Sequence, residues 1–358
     1  MKIHKNFSGG NIQVLRQADD RIELAQENRD TEGEWFYWAF CVEGAQGKTV
    51  TFDFGERDYI GYFGPAISRD LVKWSWTSPA EGEGSDHTRS QFTYTFGLED
   101  TRVYFAHSFL YQPPRFANLA RKLSLPVRTL ARSRADRSMD IAEFGRGSRT
   151  ILMTARHHAC ESTGNYVLEG VLEELAKNPP EGYVIATVPF LDIDGVISGD
   201  QGKCRIPHDH YLDYVSNPIY PETKAVMEYI NNHDVAFAFD FHSPWHIGGS
   251  NDRVFIVRNR DDHLSRYEKF GALLEEETAA CTDAFRYFIR DDLGNNVDWN
   301  VDGVPDFPRY FHRFPRTELS LILETAYFGT SQNQVSEERL LNLGRCFGRC
   351  IWQYTLYQ

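Results

Sequence analysis

The stretch Val235-Ala-Phe-Ala-Phe-Asp-Phe-His242 is apolar almost throughout and turns polar only at its end. A run of this length and kind reads as a strand buried on both faces. Two others resemble it. Thr150-Ile-Leu-Met-Thr-Ala155 leads into Arg156-His157-His158-Ala159-Cys160-Glu161, and Leu319-Ser-Leu-Ile-Leu-Glu-Thr325 carries an acid within an apolar segment. Strands of this type need cover on both sides. Amphipathic helices supply it. Val167, Leu168, Val171, Leu172 and Leu175 recur at helical spacing after a start near Ser162. Ala225, Val226, Tyr229 and Ile230 share one side of a helix from Pro221 to Asn231. Further helices are expected over Leu264–Ala279 and Glu337–Tyr354, the last with Leu340, Leu343, Phe347 and Ile351 as its stripe. Adding strands at Val127–Arg132, Met139–Phe144 and Tyr183–Phe190, the expected fold is an α/β/α layer around a mixed or parallel sheet.

The polar strand ends carry the chemistry. Open α/β sheets bind ligands beyond the carboxyl ends of their strands. His158 and Glu161, three positions apart in a tight turn, can reach one Zn²⁺ ion, and His242 ends a second strand. His157 competes with His158 for the ligand role, or else alternates to the other face. Glu324, buried without a partner, would cost several kcal/mol or have its pKa raised. A carboxylate in that setting suits general-base work on a water beside a metal ion.

A net charge of −13 argues against nucleic acid and anionic membranes as partners, since both select basic patches. No run approaches the ~20 apolar residues of a membrane span, and the first residues lack a signal-type apolar core, so a cytoplasmic location is expected. The 358 residues suggest two domains. Cys41, Cys160, Cys204, Cys281, Cys346 and Cys350 follow no disulfide pattern. Cys346 and Cys350, four apart on one helix, read as small core residues.

From Ile12 to about Val103 the texture is β and strongly aromatic, giving an expected antiparallel β-sandwich over residues 1–118 and a second domain over 119–358. Trp35–Val42 and Thr49–Phe54 flank a Gly-containing turn and read as a hairpin. Gln91–Phe96 alternates as a half-buried strand does, and Arg102–His107 is another short strand. Trp74, Trp76, Tyr59 and Tyr62 fit a sandwich core with a docking surface for the second domain. Gln112-Pro-Pro114 and the basic run Arg121, Lys122, Arg128, Arg132, Arg134 and Arg137 mark the passage between the two, the bases reading as a solvated, charge-neutralising face.

The order His158-x-x-Glu161, His242, Glu324 resembles the M14 metallocarboxypeptidases. Ala155-Arg-His-His-Ala-Cys-Glu161 looks like the family's first zinc motif, Asp240-Phe-His242-Ser like its second-histidine strand, and Leu323-Glu-Thr-Ala-Tyr-Phe-Gly329 like the catalytic-glutamate strand of its cytosolic branch. The resemblance runs from about Val127 to the end, and the aromatic front half also resembles the domain preceding the catalytic one in cytosolic carboxypeptidases. It implies one zinc per chain on His158, Glu161 and His242, an open fourth position, Glu324 as general base, and a peptide or peptide-like substrate.

The family's carboxylate-holding Asn-Arg pair falls on Tyr211 and Leu212, and Leu212 cannot offer a guanidinium fork. The leading expectation is a zinc-dependent amide hydrolase of the cytosolic carboxypeptidase type; the loss at Leu212 favours its rival, an amidase or deacylase whose substrate lacks a free C-terminal carboxylate. Arg205 is the candidate for stabilising an oxyanion, and Arg290 a candidate for an anionic substrate group. Tyr287 and Tyr310 are alternative proton donors. A non-enzymatic alternative, a degenerate member binding peptide or carbohydrate, sits poorly with the retention of all three ligands and Glu324.

Overall fold

The computed structural model describes residues 1–78 and 88–356. The front half folds as two packed sheets. Its strands are β1 (Lys2–His4), β2 (Gln13–Gln17), β3 (Arg21–Ala25), β4 (Ala39–Glu43), β5 (Thr49–Asp53), β6 (Ala66–Ser68), β7 (Ser75–Trp76), β8 (Gln91–Thr95) and β9 (Arg102–Ala106). One sheet runs β1-β4-β9-β6-β7 and the other β2-β3-β5-β8. Phe40 and Phe105 of the first face Phe52 and Phe92 of the second, with ring centroids 4.9–5.5 Å apart. The sandwich is present, with one exception to its antiparallel pairing: β3 and β5 run parallel.

The expected hairpin does not form. β4 pairs with β1 and β9, β5 with β3 and β8, so the turn between them crosses from one sheet to the other. The physical reason lies in the alternating residues. Phe40, Val42, Val50 and Phe52 all enter the same core, which two facing sheets satisfy and a flat hairpin does not.

The second half contains α1 (Pro113–Lys122), β10 (Val127–Arg132), β11 (Ser138–Gly145), β12 (Gly147–Ala155), α2 (Thr163–Leu175), β13 (Gly182–Val188), α3 (Ile193–Ser198), α4 (Pro221–Asn232), β14 (Asp234–His242), β15 (Val254–Val257), α5 (Leu264–Ala280), α6 (Phe307–Tyr310), β16 (Leu319–Thr325) and α7 (Glu337–Leu356). Position 118, where the domains were expected to divide, lies inside α1. The sheet order is β10-β11-β13-β12-β14-β16-β15. Its central strands β13, β12, β14 and β16 are parallel, and antiparallel strands flank them.

Alternation along β14 sorts its side chains. Phe237, Phe239 and Phe241 point into the layer of α5 and α7, where Phe239 and Phe241 meet Phe347 at 5.3 and 5.4 Å and Phe239 meets Phe270 at 5.5 Å. Asp240 and His242 face the other way. Gly164 lets α2 approach the end of β14, since a Cβ there would lie 2.8 Å from the Phe241 carbonyl oxygen. Cys346 and Cys350 are buried and unbridged on α7. The basic run is largely neutralised: Lys122, Arg128, Arg132 and Arg137 pair with Glu173, Glu143, Asp136 and Asp194. Among the described residues, no helix is long and apolar enough to cross a membrane.

Candidate metal centre

His158 and Glu161 lie in the turn between β12 and α2, and His242 is the last residue of β14. The turn is pinned by Arg156, a buried residue with φ of +65°. Its guanidinium donates to the carbonyl oxygens of Ala159 and Tyr111 and to Asn165 Oδ1. This clamp was not expected from the sequence, although an arginine between an apolar strand and a helix is a signal for it.

The Nδ1 atoms of both histidines converge on one carboxylate. His158 Nδ1 lies 2.9 Å from Glu161 Oε1, and His242 Nδ1 lies 2.8 Å from Glu161 Oε2. The second oxygen is buried yet receives no hydrogen bond, despite that short approach. Such an orphaned acceptor is rare in a folded interior and fits a position that faces a cation. His158, Glu161 and His242 all offer ligand atoms within 4.8 Å of one another, as a metal ion requires. The donor set of two imidazoles and one carboxylate suits zinc with a position left open.

His157 does not compete. It is buried, with Nδ1 on Asp240 at 3.0 Å and Nε2 on the Tyr214 hydroxyl at 2.8 Å. Asp240 also takes His242 Nε2 at 2.6 Å, so one carboxylate orients two imidazoles. His157, Asp240 and His242 form a second group with metal-ligand spacing. That group is wholly buried, whereas the His158 side chain keeps 13% exposure and borders solvent. A carboxylate behind a ligating histidine fixes the ring and its tautomer.

Glu324 stands beside His242, paired in register across β14 and β16. It is buried, and its Oε2 has no hydrogen-bond partner. Burial pushes its carboxyl up to about 7, with the charge on Glu161 adding to the rise and His242 and Lys203 opposing it. Burial also works against ionising Glu161, but Lys203, His158 and His242 outweigh it and hold that carboxyl well below the usual range. Two acids in one site thus have opposite tendencies.

The remaining candidates divide. Tyr211 is at the centre: its ring lies 5.4 Å from that of His158 and 5.3 Å from that of His242, and its hydroxyl donates to Asp306. Leu212 follows it on the same 3-10 turn and is half-buried. Arg205 is committed elsewhere, to Asp192 and Asp30 at 2.6 Å and to Asp200 at 3.4 Å. These pairs tie its loop to α3 and to the front half of the chain, and neither His158 nor His242 is among its partners. Arg290 is exposed and lies over the Phe288 ring, and the hydroxyls of Tyr287 and Tyr310 bond to Asp292 and Asn231. None of these three touches the histidines. The cation that does reach the centre is Lys203, with Nζ 2.5 Å from Glu161 Oε1. No local pattern marked it, because its burial arises from loops distant in sequence.

No family model matches the chain. Its architecture is that of metallo-carboxypeptidases. The metallo-carboxypeptidase of Burkholderia cenocepacia superposes with a TM-score of 0.80 at 18% identity, covering 99% of both chains. That of Pseudomonas aeruginosa, in complex with (2-guanidinoethylmercapto)succinic acid, gives 0.77 at 20% identity over 99% of this chain and 100% of the other. By sequence, cytosolic carboxypeptidase 1 of Xenopus laevis is 22% identical over 296 residues, 64% of this chain and 24% of that protein. The Zymomonas mobilis protein ZMO1242, described as uncharacterized, is 28% identical over 187 residues, 49% of this chain and 47% of its own. The matches thus span less than half the length of these curated relatives. The chain is thus similar in sequence to cytosolic carboxypeptidases and in fold to bacterial metallo-carboxypeptidases.

Proposed function

We propose that the protein is a zinc-dependent hydrolase of amide bonds in peptides or peptide-like molecules, acting in the cytoplasm. The observation that carries this reading is the buried Glu161 carboxylate between the Nδ1 atoms of two histidines, its Oε2 left without a hydrogen bond, with the equally unpartnered Glu324 Oε2 alongside. The names of the curated relatives support the peptidase class and the location.

His158, Glu161 and His242 would hold one zinc ion, which lowers the pKa of water and polarises a carbonyl when bound. Glu324 takes the proton of the attacking water and passes it to the leaving nitrogen. Its lack of hydrogen bonds leaves both its lone pairs and its proton free for that exchange. Asp240 holds His242 with Nδ1 turned toward Glu161. Tyr211 walls the site beside both histidines.

A second reading concerns the substrate. With Leu212 where a guanidinium would hold a terminal carboxylate, and with Arg205 and Arg290 engaged elsewhere, the site favours a blocked or internal amide. Matched N-acylated peptides with free and amidated C-termini, offered to zinc-loaded protein and followed by chromatography, test both readings. The expected result is chelator-sensitive cleavage, at least as fast on amidated peptides. Absence of cleavage on either set, at one zinc per chain, would contradict the proposed activity. Faster cleavage of free C-termini would contradict the substrate preference alone.

A further inference from the structure

On one side of the metal centre stands a group of indole and phenyl rings drawn from both halves of the chain. Trp245 follows His242 by three positions. Its ring meets those of Trp35 at 5.1 Å and Phe36 at 5.2 Å, both from the front half. Lys203 spans the gap to the centre, with Nζ 2.5 Å from Glu161 Oε1 and 5.4 Å from the Trp35 ring centroid. Resting on the hydrolase reading above, we propose that Trp35 and Trp245 form a subsite for an aromatic group of the substrate, near the scissile amide and on its Lys203 side.

Packing between the two halves does not account for this pair. Trp245 is 44% exposed, whereas folding covers most of a typical indole. Beneath it His246 stacks on Phe36 at 4.9 Å, and Phe36 and His107 meet Tyr327 at 5.4 and 5.0 Å. Those four rings are buried and already close the seam. Trp35 and Trp245 are more open to solvent, and their planes stand 61° apart, which makes a corner. A flat ring can lie against one indole and turn its edge to the other, the two arrangements that aromatic pairs favour. Rigid side chains of this kind offer a large contact area at little cost in conformational freedom.

The corner is held at a set distance from the centre. Trp35 Nε1 donates to the Glu32 carbonyl oxygen at 2.9 Å, and the Gln26 amide to that of Trp35 at 2.7 Å. Two residues on, the Tyr37 backbone exchanges two hydrogen bonds with the Gln201 side chain, at 2.9 and 2.8 Å. Asn11 donates to the Gly199 carbonyl oxygen at 2.6 Å, and the Glu32 amide to that of Cys204 at 3.1 Å. The front half thus grips the loop that carries Lys203. That loop in turn closes on the turn of His158 and Glu161. The Cys160 amide donates to the Gln201 carbonyl oxygen at 3.1 Å, and Gly202, with φ of +76°, permits the approach, since a Cβ there would lie 2.2 Å from the Ala159 nitrogen. An extended substrate advances about 3.3–3.6 Å per residue, so an amide at the centre puts a group about one or two residues away against Trp35.

The test compares kcat/KM on blocked tetrapeptides that carry phenylalanine or alanine at each position in turn. The proteins are the zinc-loaded wild type and its Trp245→Ala, Trp35→Leu and Trp35→Phe variants, each with the wild-type thermal midpoint. The wild type is expected to prefer phenylalanine about tenfold at a position on one side of the cleaved bond. Trp245→Ala, at an exposed site, and Trp35→Leu should each lose most of that preference, and Trp35→Phe should keep part of it. A purely structural role would lower the rates on phenylalanine and alanine peptides in parallel and leave their ratio alone. That outcome, a wild type with no preference at any position, or a preference intact in both Trp245→Ala and Trp35→Leu would each overturn the proposal. A wild type inactive on every peptide would sink the hydrolase reading. Calorimetry on the same protein would then still judge the subsite: tighter binding of phenylalanine peptides, weakened in Trp245→Ala, supports it, and equal binding or none contradicts it.

Discussion

His158, Glu161 and His242 at the end of the large sheet, and His4, Cys41 and Glu43 on the sandwich, both gather three ligand atoms within 4.8 Å. The resemblance ends at the carboxylate. Glu43 is 28% exposed and takes the Arg102 guanidinium at 2.8 Å, so its charge is already met. Burial pushes the Cys41 thiol up to about 12, which keeps the sulfur protonated. Glu161 has 1% exposure and an oxygen with no donor, and its neighbours force it to stay ionised. Ligand types at the right spacing therefore do not define a site. What separates the two groups is a buried carboxylate flanked by two histidines, with one oxygen left without a hydrogen bond.

The two regions also differ in what holds them. The sandwich interior is aromatic and gains stability by burial, while the strand ends of the large sheet carry groups that weaken the fold unless they are used. The largest effect that would separate them is Glu324→Gln, expected to keep one zinc and the wild-type melting curve while turnover falls about 10²–10⁴-fold. Turnover within a few-fold of wild type would remove Glu324 from its role. Next, Phe52→Ala in the sandwich should destabilise the fold by about 3–5 kcal/mol in denaturant titrations and leave zinc per chain unchanged. Zinc loss in the folded variant would join two regions kept apart here. Asp240→Asn removes the carboxylate behind His242 and should weaken zinc about 10- to 100-fold by chelator competition. The smallest change is expected from His4→Ala, which should leave zinc content and turnover as they are, and any loss of zinc would restore the sandwich group as a competitor.

Much of the large sheet was legible because its strands are apolar throughout and its helices amphipathic. Residues 319–325 form a strand with the expected bounds, and the helix expected near Ser162 begins at Thr163. His158, Glu161, His242 and Glu324 come together because each stands at or beside the carboxyl end of a parallel strand, a position that sequence order reveals. Three matters were not legible. The turn between β4 and β5 crosses sheets, since alternation fixes which residues are buried but not which partner strand covers them. The role of Asp240 depends on a neighbour in another strand turn, His157, whose two nitrogens are both occupied. Arg205 and Lys203 stand two residues apart in one loop, and local sequence cannot say which cation turns to the carboxylates of the β domain and its neighbours and which to Glu161. That choice is made by Gly202 and by the grip of the front half on the loop.

The most direct test of the centre is the zinc content of the purified, zinc-equilibrated protein and of its folded His158→Ala and His242→Ala variants, measured by elemental analysis after gel filtration. About one zinc per chain is expected in the wild type and essentially none in either variant. An equal zinc content in all three, or a wild type that retains none, would contradict it.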